Sequence, residues 1–360
     1  MTATGSNPAC EVEVEVLGSA LGAHPGAEVV GVVRSAGESA QHLLGRTVLV
    51  PRVLGCGECD LCRRGRLASC AALFARPRRP QPTERLPARF LLPLEPPYVA
   101  ATPTPEVLPL YAALSDGLLA PYSGLVRAGL GPGMLCVVLG GGSRAALATV
   151  AARALGAQVA LLSDDAEERA LLCEPPYRAL RGLDASTLEP AAVALALRKL
   201  CDEVGLAWHG LCVLETSGSD AGRARALSLL GAGGTAVLLE RAQPLDATDA
   251  GPALPAAVSA GPGVGGIALL EKVVAEGCQI IGAGTPHPDL LPELVALIER
   301  AQLELELSTL TRTVSPAQID AVMAARRSGL ASAADRIRLP IVVYPIVTDQ
   351  ALECQVGTAA

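Results

Sequence analysis

Four cysteines fall within fifteen residues of this chain: Cys56-Gly-Glu-Cys59-Asp-Leu-Cys62-Arg-Arg-Gly-Arg-Leu-Ala-Ser-Cys70, spaced C-x2-C-x2-C-x7-C. No other feature restricts the fold as strongly. Gaps of two residues turn the backbone on itself and point successive thiols at one centre. Four thiolates around a small dication form a closed tetrahedral zinc site of the structural kind. Disulfides between neighbours are the competing reading, but so dense a cluster inside a large chain reads as a metal site rather than a secreted framework. The sequence therefore predicts a zinc ion held by Cys56, Cys59, Cys62 and Cys70, whose purpose the rest of the chain has to supply.

The chain has 360 residues, enough for one large or two medium domains. Half of it is hydrophobic but only 2% is aromatic, so any core must be built from Ala, Leu and Val. The formal charge is −7 and Lys199 and Lys272 are the only lysines. A mildly acidic chain with no basic block argues against nucleic acid as a partner. The opening stretch has no basic segment followed by an apolar one, and no apolar run reaches the roughly 18 residues that span a bilayer. A cytoplasmic protein without membrane attachment is expected. Cys10, Cys136, Cys173, Cys201, Cys212, Cys278 and Cys354 read as small hydrophobes in a reducing compartment.

Periodicity divides the chain in two. Residues 11–16, EVEVEV, alternate as a half-buried strand does, and Ala27–Val33 and Arg46–Pro51 read as further strands. The Pro- and Arg-rich segment 75–98 reads as irregular, with one short strand at Arg89–Leu92. Leu108–Ala128 carries a helical period, broken at Gly131-Pro-Gly133. Then Cys136–Leu139 reads as a buried strand running into Gly140-Gly-Gly142, a helix over Ala146–Leu155, and a second strand, Gln158–Ser163. Strand, glycine turn, helix and strand form the βαβ unit in which a dinucleotide fingerprint has meaning. Helices at Ala191–Val204 and Ala221–Leu230 alternate with strands at Leu211–Glu215, Thr235–Glu240 and Cys278–Gly282, which predicts an α/β, doubly wound parallel sheet. Beyond a loop at 243–267, helices are expected at Pro288–Ala301 and Pro316–Arg327 and a late strand at Arg338–Tyr344. The final residues read as a loose tail.

A β-rich part carrying a four-cysteine lobe, then a Rossmann unit, then a short return resembles the medium-chain, zinc-containing alcohol dehydrogenases. The stretches carrying that resemblance are Gly26-Ala-Glu-Val-Val-Gly31, the cysteine lobe, Ser115-Asp-Gly-Leu-Leu-Ala-Pro-Tyr122, Gly129-Leu-Gly-Pro-Gly133 and Leu230-Gly-Ala-Gly-Gly-Thr-Ala-Val237. Within the family, Asp116 and the segment 315–330 are similar to the branch acting on 6-hydroxycyclohex-1-ene-1-carbonyl-CoA. The resemblance implies a GroES-like domain over 1–115 with its zinc lobe at 56–70, where the ion becomes one structural zinc per chain, and a Rossmann domain over 116–285. It further implies a return segment over 286–345 that completes the first domain, and a tail over 346–360. It implies a homodimer or homotetramer acting on a small-molecule substrate.

The same resemblance implies an NAD(P)-dependent oxidoreductase that moves a hydride at an alcohol or carbonyl carbon, assisted by a second, catalytic zinc. Here the sequence departs from the family. Ala27 stands where the family has its ligand histidine, and Leu17-Gly-Ser-Ala-Leu-Gly-Ala-His24 contains no cysteine. Glu28 and Asp116 remain as candidate catalytic residues, and two carboxylates are a poor set for zinc, which favours N and S donors. His24 could substitute, or be an ordinary loop histidine; Asp116 could be a ligand, or a capping carboxylate. For the cofactor, Gly140 and Gly142 keep the tight turn and Ala145 takes the third position. Arg144 could contact phosphate or crowd it. Ser163 replaces the expected acidic residue, with Asp164 one place later, and the acidic pair Asp164–Asp165 favours NAD over NADP. The alternative is a catalytically inactive homologue that keeps the fold and the structural zinc as a structural or regulatory subunit.

Overall fold

The computed structural model describes residues 8–22, 28–51, 54–64, 67, 70–72, 79, 81–89, 91–96, 99, 103–115, 117–186, 189–208, 210–239, 271–283, 288–300 and 308–345. The chain opens with strands β1 (Glu11–Ala20), β2 (Val29–Ala36), β3 (Thr47–Val50), β4 (Thr83–Pro87) and β5 (Leu92–Pro93), with the short helix α1 (Asp60–Arg63) between β3 and β4. In β1 the alternation does what period two demands. Val12, Val14 and Val16 are buried, while Glu13 and Glu15 meet Arg85 and Arg34 on the wetter face, at 2.7 and 2.6 Å.

Helices α2 (Leu119–Arg127) and α3 (Gly142–Ala154) flank strand β6 (Leu135–Leu139). Next come β7 (Gln158–Ser163), α4 (Ala166–Cys173), β8 (Arg181–Asp184), α5 (Pro190–Val204), β9 (Cys212–Glu215), α6 (Asp220–Leu229), β10 (Thr235–Leu239) and β11 (Gln279–Ala283). Strands β6 to β11 form one six-stranded sheet in the order β11-β10-β9-β6-β7-β8, with every pairing parallel. The order reverses between β6 and β9, and that crevice is where such sheets bind ligands. The centre of the sheet is apolar on both faces, as helical cover on two sides requires: all five residues of β6 are buried.

After α7 (Leu291–Arg300), strand β12 (Thr311–Val314), α8 (Ile319–Arg327), α9 (Ala333–Ile337) and β13 (Leu339–Val343) carry the chain back. Strand β13 pairs antiparallel with the end of β1, and β12 pairs parallel with β13, giving a seven-stranded sheet ordered β12-β13-β1-β2-β3-β5 with β4 beside β1. The main core is continuous from one sheet to the other. Leu17, Ala20 and Val30 belong to the same buried cluster as Leu114, Leu147 and Leu214, with Tyr111 its largest wholly buried member.

Several expectations need correction. The helical period of 108–128 is two elements, a 3-10 helix at Leu108–Leu114 and α2, with turns at Ser115 and at Gly117 and Leu118 between them. The strand expected at Arg89–Leu92 lies earlier, as β4, and later, as the two-residue β5. Residues 17–20, which the resemblance would place in a ligand-bearing loop, are the end of β1, held by β2 on one side and β13 on the other. Strands β8 and β12 and helix α4 carry too little apolar periodicity to be seen: β8 has one buried residue, Leu183. The loop expected at 243–267 and the tail at 346–360 lie outside the described residues, as do His24, Ala27 and Asp116. Among the described residues no helix is long and apolar enough to cross a membrane.

Candidate functional site

The cysteine lobe is built by one turn of helix. Cys59 caps α1 and its sulfur accepts the Cys62 N–H at 3.4 Å; the Cys59 N–H reaches Cys56 Sγ at 3.3 Å and the Cys56 N–H reaches Cys70 Sγ at 3.4 Å. Backbone amides aimed at sulfur stabilise thiolates. All four sulfurs lie within 4.8 Å of one another, with Cys56–Cys62 and Cys59–Cys70 at 3.9 Å. A tetrahedron with metal–sulfur bonds of about 2.3 Å has edges of about 3.8 Å, so the cage fits zinc. The amides of Glu58 and Cys59 draw the Cys56 thiol down to about 6, while burial pushes Cys62 up to about 12. One ligand is thus ready to bind as an anion and another needs a cation to ionise beside it. Leu67 packs against Cys62 and Cys70 and closes the inner side of the cage.

The second constellation sits at the reversal point of the parallel sheet. A cavity of about 440 Å³ opens there, lined among others by Gly140, Gly142, Ser163, Asp164, Ser217 and Arg225. Strand β6 delivers the turn: Gly140 has φ +124° and Gly142 φ +66°, backbone that side-chain-bearing residues rarely adopt, and Gly141 caps α3. Ala145 is wholly buried one turn into α3, where a larger residue would lift the helix off the sheet. Ser163 ends β7, buried, its hydroxyl accepting the Asp165 N–H at 3.3 Å. Asp164 is exposed and lies 3.9 Å from Arg225. At the end of β9, Glu215 is fully buried and its carboxylate accepts from the Ser217 N–H at 2.7 Å and from the Gly218 N–H at 3.0 and 3.1 Å, tying down the opposite rim.

Sequence reasoning missed the most heavily engaged residues here. Glu168, on α4, turns its carboxylate onto the glycine turn and accepts the Gly142 N–H at 2.8 Å. Arg336, on α9, donates from Nε to Glu168 at 2.6 Å and from Nη2 to Asp165. The Glu168 carboxylate holds the Arg336 guanidinium above its ordinary range, so it is charged at every ordinary pH. Arg326, on α8, spans the junction between the sheets. It donates to Leu21 O at 2.9 Å and to Ser143 Oγ and Arg336 O at 3.1 Å each.

Of the candidate catalytic residues, Glu28 starts the turn into β2. It is buried at 1% exposure and accepts the Gly117 N–H, in a notch that closes on Gly22 as well. Its carboxylate thus joins the first sheet to the segment that leads into α2. Among the described residues the four cysteines are the only group of three or more His, Cys, Asp or Glu placed to hold a metal. Among the described residues no second set of donors is placed for a catalytic zinc, and no chemical step is assigned to one.

A β-rich part with a thiolate cage is thus joined to a doubly wound parallel sheet with its cleft at the reversal point. Residues 4–80 match the family described as the Alcohol dehydrogenase GroES-like domain. Solved structures extend the likeness to the whole chain. Alcohol dehydrogenase TADH from Thermus sp. ATN1 is 19% identical, covering 95% of each chain at a TM-score of 0.70. Galactitol-1-phosphate dehydrogenase from Escherichia coli is 18% identical, covering 96% of this chain and 95% of its own at 0.69. A short chain alcohol dehydrogenase from Escherichia coli CFT073, complexed with NADH, is 14% identical, covering 94% of each at 0.69. No curated protein matches the sequence. The chain has the fold of the alcohol dehydrogenases, with their GroES-like domain at its start.

Proposed function

We propose that this protein is an NAD(P)-dependent oxidoreductase that transfers a hydride at an alcohol or carbonyl carbon of a small molecule, with NAD preferred to NADP. The observation that carries this reading is the cleft of about 440 Å³ at the sheet reversal, with the Gly140–Gly142 turn at its floor and Ser163 and Asp164 at its side. The exposed carboxylate of Asp164 suits a ribose hydroxyl and repels a 2′-phosphate. A bound dinucleotide would supply the hydride acceptor, and the alcohol proton would leave separately to water or a protein base. Zinc belongs to this reading only as the structural ion of Cys56, Cys59, Cys62 and Cys70, one per chain. Glu28 and Asp116 are the candidate acidic residues on the substrate side. By analogy with the fold, the protein works as a homodimer or homotetramer. The test is oxidation of NADH by a panel of aldehydes, ketones and enones, and reduction of NAD by the matching alcohols. Substrate-dependent change in nicotinamide absorbance above the blank is expected; its absence across both panels removes the reading.

A second reading is favoured by Ala27, by the cysteine-free segment 17–24 and by the Glu168 carboxylate on the glycine turn. It is a non-catalytic homologue that keeps the fold and the structural zinc as a structural or regulatory subunit. It requires about one zinc per chain and no nicotinamide turnover, and any substrate-dependent turnover excludes it.

A further inference from the structure

The start of a helix that follows a glycine turn attracts an anion, because its first N–H groups have no partner within the helix. In α3 the anion is already there, and it belongs to the protein. Glu168 is 5% exposed, one carboxylate oxygen on the Gly142 N–H at 2.8 Å and the other on Arg336 Nε at 2.6 Å. A Cβ placed on Gly141 would run into Glu168 Oε2, so the bare backbone of the turn is what admits the carboxylate. Asp165 holds the arrangement from below: it caps α4 by accepting the Glu168 N–H at 2.9 Å and shares the Arg336 guanidinium.

In Rossmann folds the pyrophosphate of a dinucleotide rests on this same helix start. A carboxylate and a diphosphate cannot both occupy it, since like charges a few ångströms apart repel strongly in so dry a place. We propose that Glu168 is an internal occupant of the diphosphate position, which any nucleotide must displace from Gly142, and that it sets how tightly phosphorylated nucleotides bind. Displacement would also uncover Arg336, turning the partner of the carboxylate into a partner for phosphate. The inference rests on the cleft of the proposed oxidoreductase reading, but it concerns the diphosphate alone and not hydride transfer.

The test uses ADP as the diphosphate probe and adenosine as its uncharged counterpart, titrated calorimetrically into the full-length zinc-loaded protein and its Glu168→Gln and Glu168→Ala variants. ADP is expected to bind either folded variant at least tenfold more tightly than the wild type, with adenosine affinity unchanged. Unchanged or weaker ADP binding in a folded variant overturns the proposal. Equal tightening for ADP and adenosine does so too, since it marks a general loosening of the cleft. A crystal structure of the wild type soaked with ADP gives a test free of substitutions. The Glu168 carboxylate is expected to leave the Gly142 N–H; a diphosphate bound in the cleft with that hydrogen bond intact overturns the idea. NADH turnover is read in parallel. Tighter ADP binding without turnover removes the oxidoreductase reading and keeps the role of Glu168, and turnover with unaltered ADP affinity does the reverse.

Discussion

The cysteine lobe and the glycine-turn cleft are both places where the chain gathers charge around a gap, and they treat the gap in opposite ways. In the lobe four sulfurs converge at tetrahedral spacing with amide hydrogens behind them. In the cleft the helix start is neutralised from within by Glu168, and Arg336 neutralises Glu168 in turn. A site that needs its ligand for stability is left charged. A site whose charges are already satisfied folds without a ligand and gives up binding strength in exchange.

The sharpest way to break the contrast is to remove a sulfur. Cys62→Ser should drop bound zinc from about one per chain to near zero by plasma mass spectrometry, since structural zinc contributes on the order of 10 kcal/mol to the fold of its lobe. The thermal transition should fall or split, with the parallel sheet melting last; retention of a full zinc would contradict the assignment. A smaller effect is expected at the cleft. Arg336→Met leaves the buried Glu168 with one charged partner fewer, which costs about 2 kcal/mol by denaturant melts, and the loss should shrink when Glu168→Gln is combined with it. Loss of the same size in the double variant would show that the two residues do not act as a pair. The smallest effect belongs to neither region. Arg181 and Glu203 meet at 2.8 Å but are 43% and 53% exposed; Arg181→Ala should move stability by less than about 1 kcal/mol, within the error of most melts.

How much could be read from sequence follows from the distance over which each device works. The cysteine cage is local, since its first three ligands fall within seven residues, and spacing alone exposes it. The glycine turn is legible because a strand and a helix flank it. Strand β8 is an edge strand of four residues with one buried side chain, and nothing in Arg181-Gly-Leu-Asp184 alternates. Glu168 is hidden for a subtler reason. The spacing from Asp165 to Glu168 is that of a helix start in which the later residue bonds back to the cap. Here only half of that exchange is made, and the Glu168 carboxylate goes to Gly142, leaving Ser163 to accept from the Asp165 N–H. Its other partner, Arg336, lies 168 residues away in sequence, a separation that local pattern does not register.

Arg326 has a mechanical meaning beyond its hydrogen bonds. Its guanidinium is buried deeply enough for desolvation to draw it down to about 10, yet it stays charged near neutrality. It grips Leu21 at the end of β1 with one nitrogen and, with another, Ser143 in the first turn of α3 and the Arg336 carbonyl. One side chain therefore ties the end of the first sheet to the helix that follows the glycine turn. Pulling these two parts apart would strand a cation in a dry gap, so the protein should breathe by sliding about this pivot rather than by gaping.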